Sequence, residues 1–255
     1  TIYPLFSEIF YNSSVSIGAP YYNFAFNLLM APIILLMAFA PQIKWGEHQR
    51  KNNQTLYIIF ISIVMTAIVH YLLGNIFFSL SIFITMPLFI KSFLVFFKKV
   101  SKDRSFFAQW LAHLSIGLFI VAAVYTEQFD YEKNITFEKG DNNKIVLDED
   151  TFLLLENIKD TDLSNHQKIS VDLIVMENNL KYSLSPSKNI YQPSGQVTNE
   201  VSTVNKYFDQ YYATISMIES DKVSINLVYK PFINLLWISS ILLVFSIFLS
   251  IMKRK

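Results

Sequence analysis

The chain has 255 residues, 52% of them hydrophobic, with a net charge of +1 and no cysteine; its mean hydropathy is +0.34. That composition is too apolar for an ordinary soluble domain and places the chain in the membrane class. The near-neutral charge gives no sign of a nucleic-acid partner, and the lack of cysteine excludes disulfides, thiolate metal sites and a cysteine nucleophile.

The opening "TIYPLFSEIF" (Thr1–Phe10) lacks the basic start of a signal peptide. It begins on threonine and is read as the start of a piece cut or split from something longer. Crossing a bilayer takes about 20 apolar residues in a helix. Five segments reach that length: Tyr22–Ala40, Leu56–Leu73, Ile76–Val95, Phe106–Tyr125 and Pro231–Met252. Each is expected to be helical, because backbone groups cannot go unpaired in lipid. Pro32 and Pro87 fall inside two of them and predict kinks.

Basic residues in the short connections set the orientation. Lys44, Arg50 and Lys51 follow the first span; Lys98, Lys99, Lys102 and Arg104 follow the third; Lys253, Arg254 and Lys255 follow the fifth. The connection at Gly74 and Asn75 carries no charge. Five alternating spans put all three basic clusters on one side, which predicts the N-terminus outside and the C-terminus in the cytoplasm. Lys91 lies a turn or two from the cytoplasmic end of its span and is expected to snorkel there.

Composition changes abruptly after the fourth span. Residues 126–230 hold 17 of the chain's 20 acidic residues against 10 Lys and no Arg, a local charge of −7. "KIVLDED", "FLLLENIK", "ISVDLIVM" and "KVSINLVYK" are rich in β-branched residues, several in alternation, with Asn-Asn and Gly-Asp pairs as turns. The fold class read here is a polytopic α-helical membrane protein, with five transmembrane helices and a β-rich extracytoplasmic domain inserted before the last. The parts are residues 1–125, an outside segment plus four spans; 126–230, the outer domain; and 231–255, the last span with a basic cytoplasmic tail. "NEVSTVNKYFDQYYATI" reads as a short helix leading into a strand.

No phosphate loop, GxSxG, HExxH or paired-histidine metal spacing is present. His48 and His166 read as surface residues, and His70 as a hydrogen-bonding group near the outer interface. His113 stands apart. It lies nine residues into its helix from Arg104, about 14 Å along the axis and close to the bilayer centre. Gln109, Trp110, His113 and Gly117 share one helix face. A small residue one turn from the imidazole would admit a neighbouring helix or a flat ligand. The residues alone leave three readings open: a histidine bonded to another helix, an axial haem ligand, or a proton relay.

Several stretches, in order, resemble the CcmF family of cytochrome c-type biogenesis proteins, membrane haem lyases. Thr1–Leu5, Ile17–Asn23 and Met30–Trp45 are similar to that family's "TLYPL", "VGPPYFN" and "MAPLLLLMG.GP…W". "AHLSIGLFIVAAVYT" looks like its "AHLG" helix, and "LSPSKNIYQ", "TNEVS" and "YKPFINLLW" look like its "L.PEKR.Y", "TEAAI" and "YKPFVRW.W". The resemblance covers nearly the whole chain. It implies that His113 is an axial ligand of a haem b. The second axial histidine, the tryptophan-rich WWD haem-handling loop and two outward-facing histidines would lie upstream of Thr1. "WGEHQR" lacks the aromatic cluster and is no substitute for that loop. The implied function is covalent attachment of haem to apocytochrome c outside the cell inner membrane, with this part alone not expected to be active. Implied partners are the upstream part of the same protein, apocytochrome c, and the haem-chaperone and thiol-handling components of the maturation system. The sequence departs from the family's "EKR" at Ser187, Lys188 and Asn189, and from its "GPPY" at Gly18–Tyr21. A permease subunit and a membrane-anchored scaffold with a partner-binding outer domain are the rival classes.

Overall fold

The computed structural model describes residues 9–10, 19–39, 53–98, 103–138, 144–148, 150–192, 194–219 and 222–252, with side chains of the first long helix described from Leu28 onward. His48 and most of the basic residues that set the orientation lie outside these ranges; Lys98 and Arg104 lie within them. Among the described residues five long helices are present: α1 (Ala19–Phe39), α2 (Asn53–Leu73), α3 (Ile76–Lys98), α4 (Arg104–Phe129) and α5 (Ile233–Ile251). Among the described residues, α2 to α5 are each long and apolar enough to cross a membrane, and Leu28–Phe39 forms a shorter apolar stretch of α1.

The helices are packed the opposite way from those of a soluble bundle. Large apolar side chains such as Leu56, Phe60, Phe77, Ile241 and Phe248 are exposed, while Ser62, Ser79, Thr85, Ser115, Ser239 and Ser246 are buried. Lipid gives apolar side chains no reason to turn inward, so small residues take the contacts where helices approach. Their hydroxyls are satisfied within their own helices: Ser62 donates to Ile58 O at 2.8 Å, Thr85 to Ser81 O at 2.7 Å and Ser115 to Leu111 O at 2.6 Å. Gly74, at φ +66, closes the turn between α2 and α3, and the Asn75 carboxamide oxygen caps α3 through Phe78 N at 2.9 Å. Lys91 does not snorkel. It is 5% exposed, and its ammonium lies over the Phe39 ring of α1, 5.7 Å from the centroid. α1 packs against α3, and the Lys91 contact with it is of the cation–π kind.

Among the described residues ten antiparallel strands form the β-rich domain between α4 and α5: β1 (Tyr131–Glu138), β2 (Lys144–Asp148), β3 (Thr151–Asp162), β4 (His166–Glu177), β5 (Leu180–Leu184), β6 (Ser187–Tyr191), β7 (Val197–Glu200), β8 (Ser202–Lys206), β9 (Asp209–Ile218) and β10 (Lys222–Lys230). One sheet runs β1-β10-β9-β8; the other runs β2-β3-β4-β6-β7, with β5 also paired to β4. Both sheets contribute to one core, which includes Phe137, Leu153, Leu173, Val175, Ile215 and Ile225. In β10, Val223, Ile225 and Leu227 are all buried, the alternation that places every second side chain on one face. The β4–β5 turn is Asn178-Asn179, at φ 47 and 65, residues that tolerate the left-handed region. The helical multi-pass class with a β-rich domain before the last helix is therefore the observed one.

One local expectation fails. "NEVSTVNKYFDQYYATI" contains no helix; it is the end of β7, all of β8 and most of β9, with Tyr207-Phe208 as a two-residue turn closing Lys206 against Asp209. β9 pairs with β10 on its other side. β8 has a ladder waiting for it, and Thr203 and Val204 suit a strand better than a helix.

The chain's departures from the "EKR" pattern meet in this domain. Glu200 accepts hydrogen bonds from Ser187 Oγ at 2.7 Å, Asn189 Nδ2 at 2.9 Å and Lys168 Nζ at 3.0 Å. The network joins β4, β6 and β7 around one carboxylate. These bonds, with Ser187 the largest contributor, then Lys168 and Asn189, lower the Glu200 pKa from 4.5 to about 2. A lowered folded-state pKa stabilises the fold fully above the unfolded value, and that contribution is lost as pH falls from 4.5 through about 2. Thermal melting followed by circular dichroism should therefore show the wild type ahead of Glu200→Gln near neutral pH. The gap should narrow steadily below about pH 4.5. A gap independent of pH would remove the charge from this account.

Candidate functional site

The candidate site lies on α4, a 26-residue helix. Asp103 starts it: its carboxylate accepts from Phe106 N at 3.1 Å, a cap that also suits the positive end of the helix dipole. The first turns pack on α3 through aromatic rings. Phe96 of α3 lies 4.9 Å from Trp110 and 6.3 Å from both Phe106 and Phe107, centroid to centroid. Two turns further on, Gly117 is buried against the Phe89 ring. A Cβ on Gly117 would lie 2.8 Å from Phe89 Cζ. The small residue thus admits the neighbouring helix, and the space directly beside it is already filled.

His113 sits between these two contacts, one turn from Trp110 and one from Gly117. It is half-buried at the margin of the face that α4 turns to α3. Among the described residues no hydrogen bond engages its imidazole. The Trp110 indole Nε1 is buried, also without a hydrogen-bond partner. Gln109 is exposed, on the side of the face away from that contact. The four residues read onto one face do lie together, and the structure divides them: Trp110 and Gly117 pack, whereas His113 keeps an open edge.

The other histidines in the described residues have local roles. His70 Nδ1 lies 3.3 Å from Ser79 Oγ across the α2–α3 turn, the interfacial hydrogen bond expected of it. His166 Nδ1 lies 2.7 Å from Asn165 Oδ1, and its ring packs 5.0 Å from Tyr191. Among the described residues no group of three or more His, Cys, Asp or Glu comes together as a metal site. Any metal bound at His113 would need its other donors from a prosthetic group or another polypeptide segment. The sequence signalled neither the orphaned indole nor the filled space at Gly117; both depend on how α3 crosses α4.

No family model matches the chain. Proteins with similar sequences are nevertheless found along its whole length. It is 22% identical over 254 residues to the cytochrome c-type biogenesis protein CcmF of Escherichia coli, covering 95% of this chain and 39% of that protein. It is 24% identical over 276 residues to CcmF of Haemophilus influenzae, covering 100% of this chain and 42% of that protein. A solved cytochrome c heme lyase CcmF shares the fold, with a TM-score of 0.79 over 99% of this chain and 42% of that one, at 15% identity. The similarity to CcmF runs along nearly the whole of this chain. The chain spans about two fifths of the length of these relatives. The CcmF-like character accounts for the multi-pass helices and the β-rich domain together, since sequence and fold align over the same near-complete length.

The α3–α4 contact generates a prediction that needs no cofactor. Gly117→Ala forces the Phe89 ring to move, and overpacking of this kind costs about 1–3 kcal/mol. The variant should melt below wild type in detergent, and Phe89→Leu in the same chain should recover part of the loss. Equal melting of Gly117→Ala and wild type would mean that the helices are not in close contact there.

Proposed function

We propose that this chain is the C-terminal portion of a CcmF-type cytochrome c haem lyase of the cell inner membrane, and that His113 is an axial ligand to a haem b. The observation that carries the reading is the end-to-end similarity to CcmF, combined with the position of His113 on the helix that resembles the family's "AHLG" segment. The local chemistry fits. A neutral imidazole is a good iron ligand, and a half-buried imidazole without a hydrogen-bond partner keeps a ring nitrogen free to donate. The nearby buried indole N–H is a donor still lacking an acceptor. The second axial histidine and the WWD loop belong to the upstream part of the same protein.

When bound, haem b supplies one-electron chemistry that keeps the incoming haem iron reduced for thioether formation. This chain's own residues hold and shield. The Phe96–Trp110 and Phe89–Gly117 contacts fix the rotation of α4 about its axis, and so the direction in which His113 points. The exposed apolar helix surfaces keep water away from the imidazole. The β-rich domain, outside the membrane, is the surface for apocytochrome c and for the haem-chaperone and thiol-handling components.

Absorption spectra of the assembly, purified with its upstream part, test the ligand. His113→Ala should abolish or greatly reduce the reduced b-type band, and His70→Ala should leave it nearly unchanged. Full haem with an unshifted spectrum in His113→Ala would return the residue to a purely structural role. A wild-type assembly with no haem would favour the permease or scaffold classes.

The proposed orientation has the β-rich domain outside and the α3–α4 connection in the cytoplasm. The chain has no cysteine, so single cysteines report cleanly. In intact cells, an impermeant thiol reagent should label Ser164→Cys in the β3–β4 connection and should spare Lys98→Cys at the end of α3. The reverse pattern would invert the topology.

A further inference from the structure

The β8–β9 turn uses an unusual residue. Tyr207 has φ +49, the left-handed region that glycine and asparagine occupy at low cost. The β4–β5 turn meets the same demand with Asn178 and Asn179. Tyr207 is 85% exposed, and Phe208 beside it is 49% exposed. Among the described residues no hydrogen bond or ring contact engages the Tyr207 side chain, which is turned outward from a strained backbone position. Strain of this kind marks a place where the side chain serves another contact.

The location of the turn identifies that contact. Asn234, in the first turn of α5, binds the turn twice: its backbone N donates to Phe208 O at 3.0 Å, and its Nδ2 donates to Tyr207 O at 3.0 Å. Asp209, just after the turn, accepts from Phe232 N at 3.0 Å. The turn is thus fastened to the point where the chain enters its last apolar helix. A row of aromatic rings continues from it. Phe208 lies edge-on to Phe232 at 6.3 Å, Phe232 stacks on Tyr125 at 4.5 Å, and Tyr125 lies 4.6 Å from Phe129. Thr126 Oγ1 donates to Pro231 O at 2.6 Å and holds the end of α4 to the start of α5 at this level. Trp237, one turn into α5, is 60% exposed. Amphipathic Tyr and Trp rings where apolar helices begin or end mark the membrane–water interface, and Tyr207, Tyr125 and Trp237 belong to this group.

We propose that the Tyr207-Phe208 turn is a membrane-interface anchor. It is seated in the lipid headgroup region of the leaflet that α5 enters, with the Tyr207 ring among the acyl-chain boundary and its hydroxyl toward water. The occupant is the bilayer itself. An apolar helix such as α5 must have this boundary at its first turn, and the turn is hydrogen-bonded to that first turn. The anchor holds the root of the β-rich domain at a set height above the membrane. The proposal rests on the α5 span and on these contacts, independently of haem ligation.

The test uses the full cysteine-free chain in phosphatidylcholine–phosphatidylglycerol vesicles. An environment-sensitive fluorophore is attached to single cysteines at Thr203, Asn205 and Tyr207, which lie on one side of β8 and its turn, and at Ser164 as a reference. Ser164 adjoins the opposite end of β4 from Glu177, and β4 is 12 residues long, about 36 Å at strand rise. Nitroxide carried on lipid headgroups should quench the label at Tyr207 severalfold more than at Ser164, with Asn205 and Thr203 falling progressively between. Aqueous iodide should show the reverse order. Phe208→Cys provides a second reporter if the Tyr207 variant fails to fold. Equal iodide quenching at Tyr207 and Ser164 would overturn the proposal. Protection of Tyr207 from both quenchers would also overturn it, because the turn would then be docked against protein.

Discussion

Hydrocarbon offers no hydrogen-bond partners, so every polar group that enters it has to arrive already paired. That requirement shapes the helical part of this chain at each level. It makes the long apolar segments helical, because only a helix pairs its own backbone within one segment. It also explains why buried serines and threonines of the helices return their hydroxyls to a carbonyl three or four residues back, as in Ser62 to Ile58 and Thr85 to Ser81. Packing in lipid draws little from the hydrophobic effect, so close approach and local pairing carry it. Against that background the fully buried side-chain nitrogens that lack a hydrogen bond in the described helices stand out: the Lys91 ammonium and the Trp110 indole nitrogen. The Lys91 ammonium lies over the Phe39 ring. Trp110 lies one turn from His113, on the helix with the strongest functional signal.

Two contacts constrain the rotation of α4 about its axis. Phe89 against Gly117 and Phe96 against Trp110 are steric contacts, and together they allow little turning of the helix about its axis. His113 lies between them in sequence, so its direction is set by two contacts of which it is not part. In the proposed role this matters, because an imidazole that held a haem iron would need its nitrogen aimed at the iron. Support of this sort comes from packing and not from a hydrogen bond to the imidazole.

Outside the helices, water is available and the logic reverses. The two sheets share one apolar core, and polar groups gather at its margins. Tyr211 is buried and donates to Glu177 at 3.1 Å, while Lys206 pairs with the same carboxylate at 2.6 Å. Tyr229 donates to Asp209 at 2.6 Å. Burial raises both phenols well above their ordinary range, so they stay protonated and can donate these bonds. The Glu200 network illustrates how a departure from a family pattern is absorbed. With serine at 187 and asparagine at 189, a carboxylate from the neighbouring strand collects both side chains and Lys168.

The sequence by itself determined the fold class, because both of its signals are local. A run of apolar residues long enough to cross a bilayer is visible without knowing its neighbours, and so is strand alternation such as that of "KVSINLVYK". His113 was legible for the same reason: an imidazole in an apolar run is conspicuous wherever the run ends up. What depended on partners was not legible. The stretch around Tyr207 became two strands because β9 and β10 offered a ladder, which no local pattern records. Lys91 became buried because α1 packs over it, although its distance from the helix end suggested snorkelling. The space beside Gly117 proved to belong to Phe89, 28 residues earlier in the chain. Which segments form helices and strands follows from contacts within a few residues; which side chains are covered follows from contacts between elements far apart in the chain, and only the tertiary structure decides those.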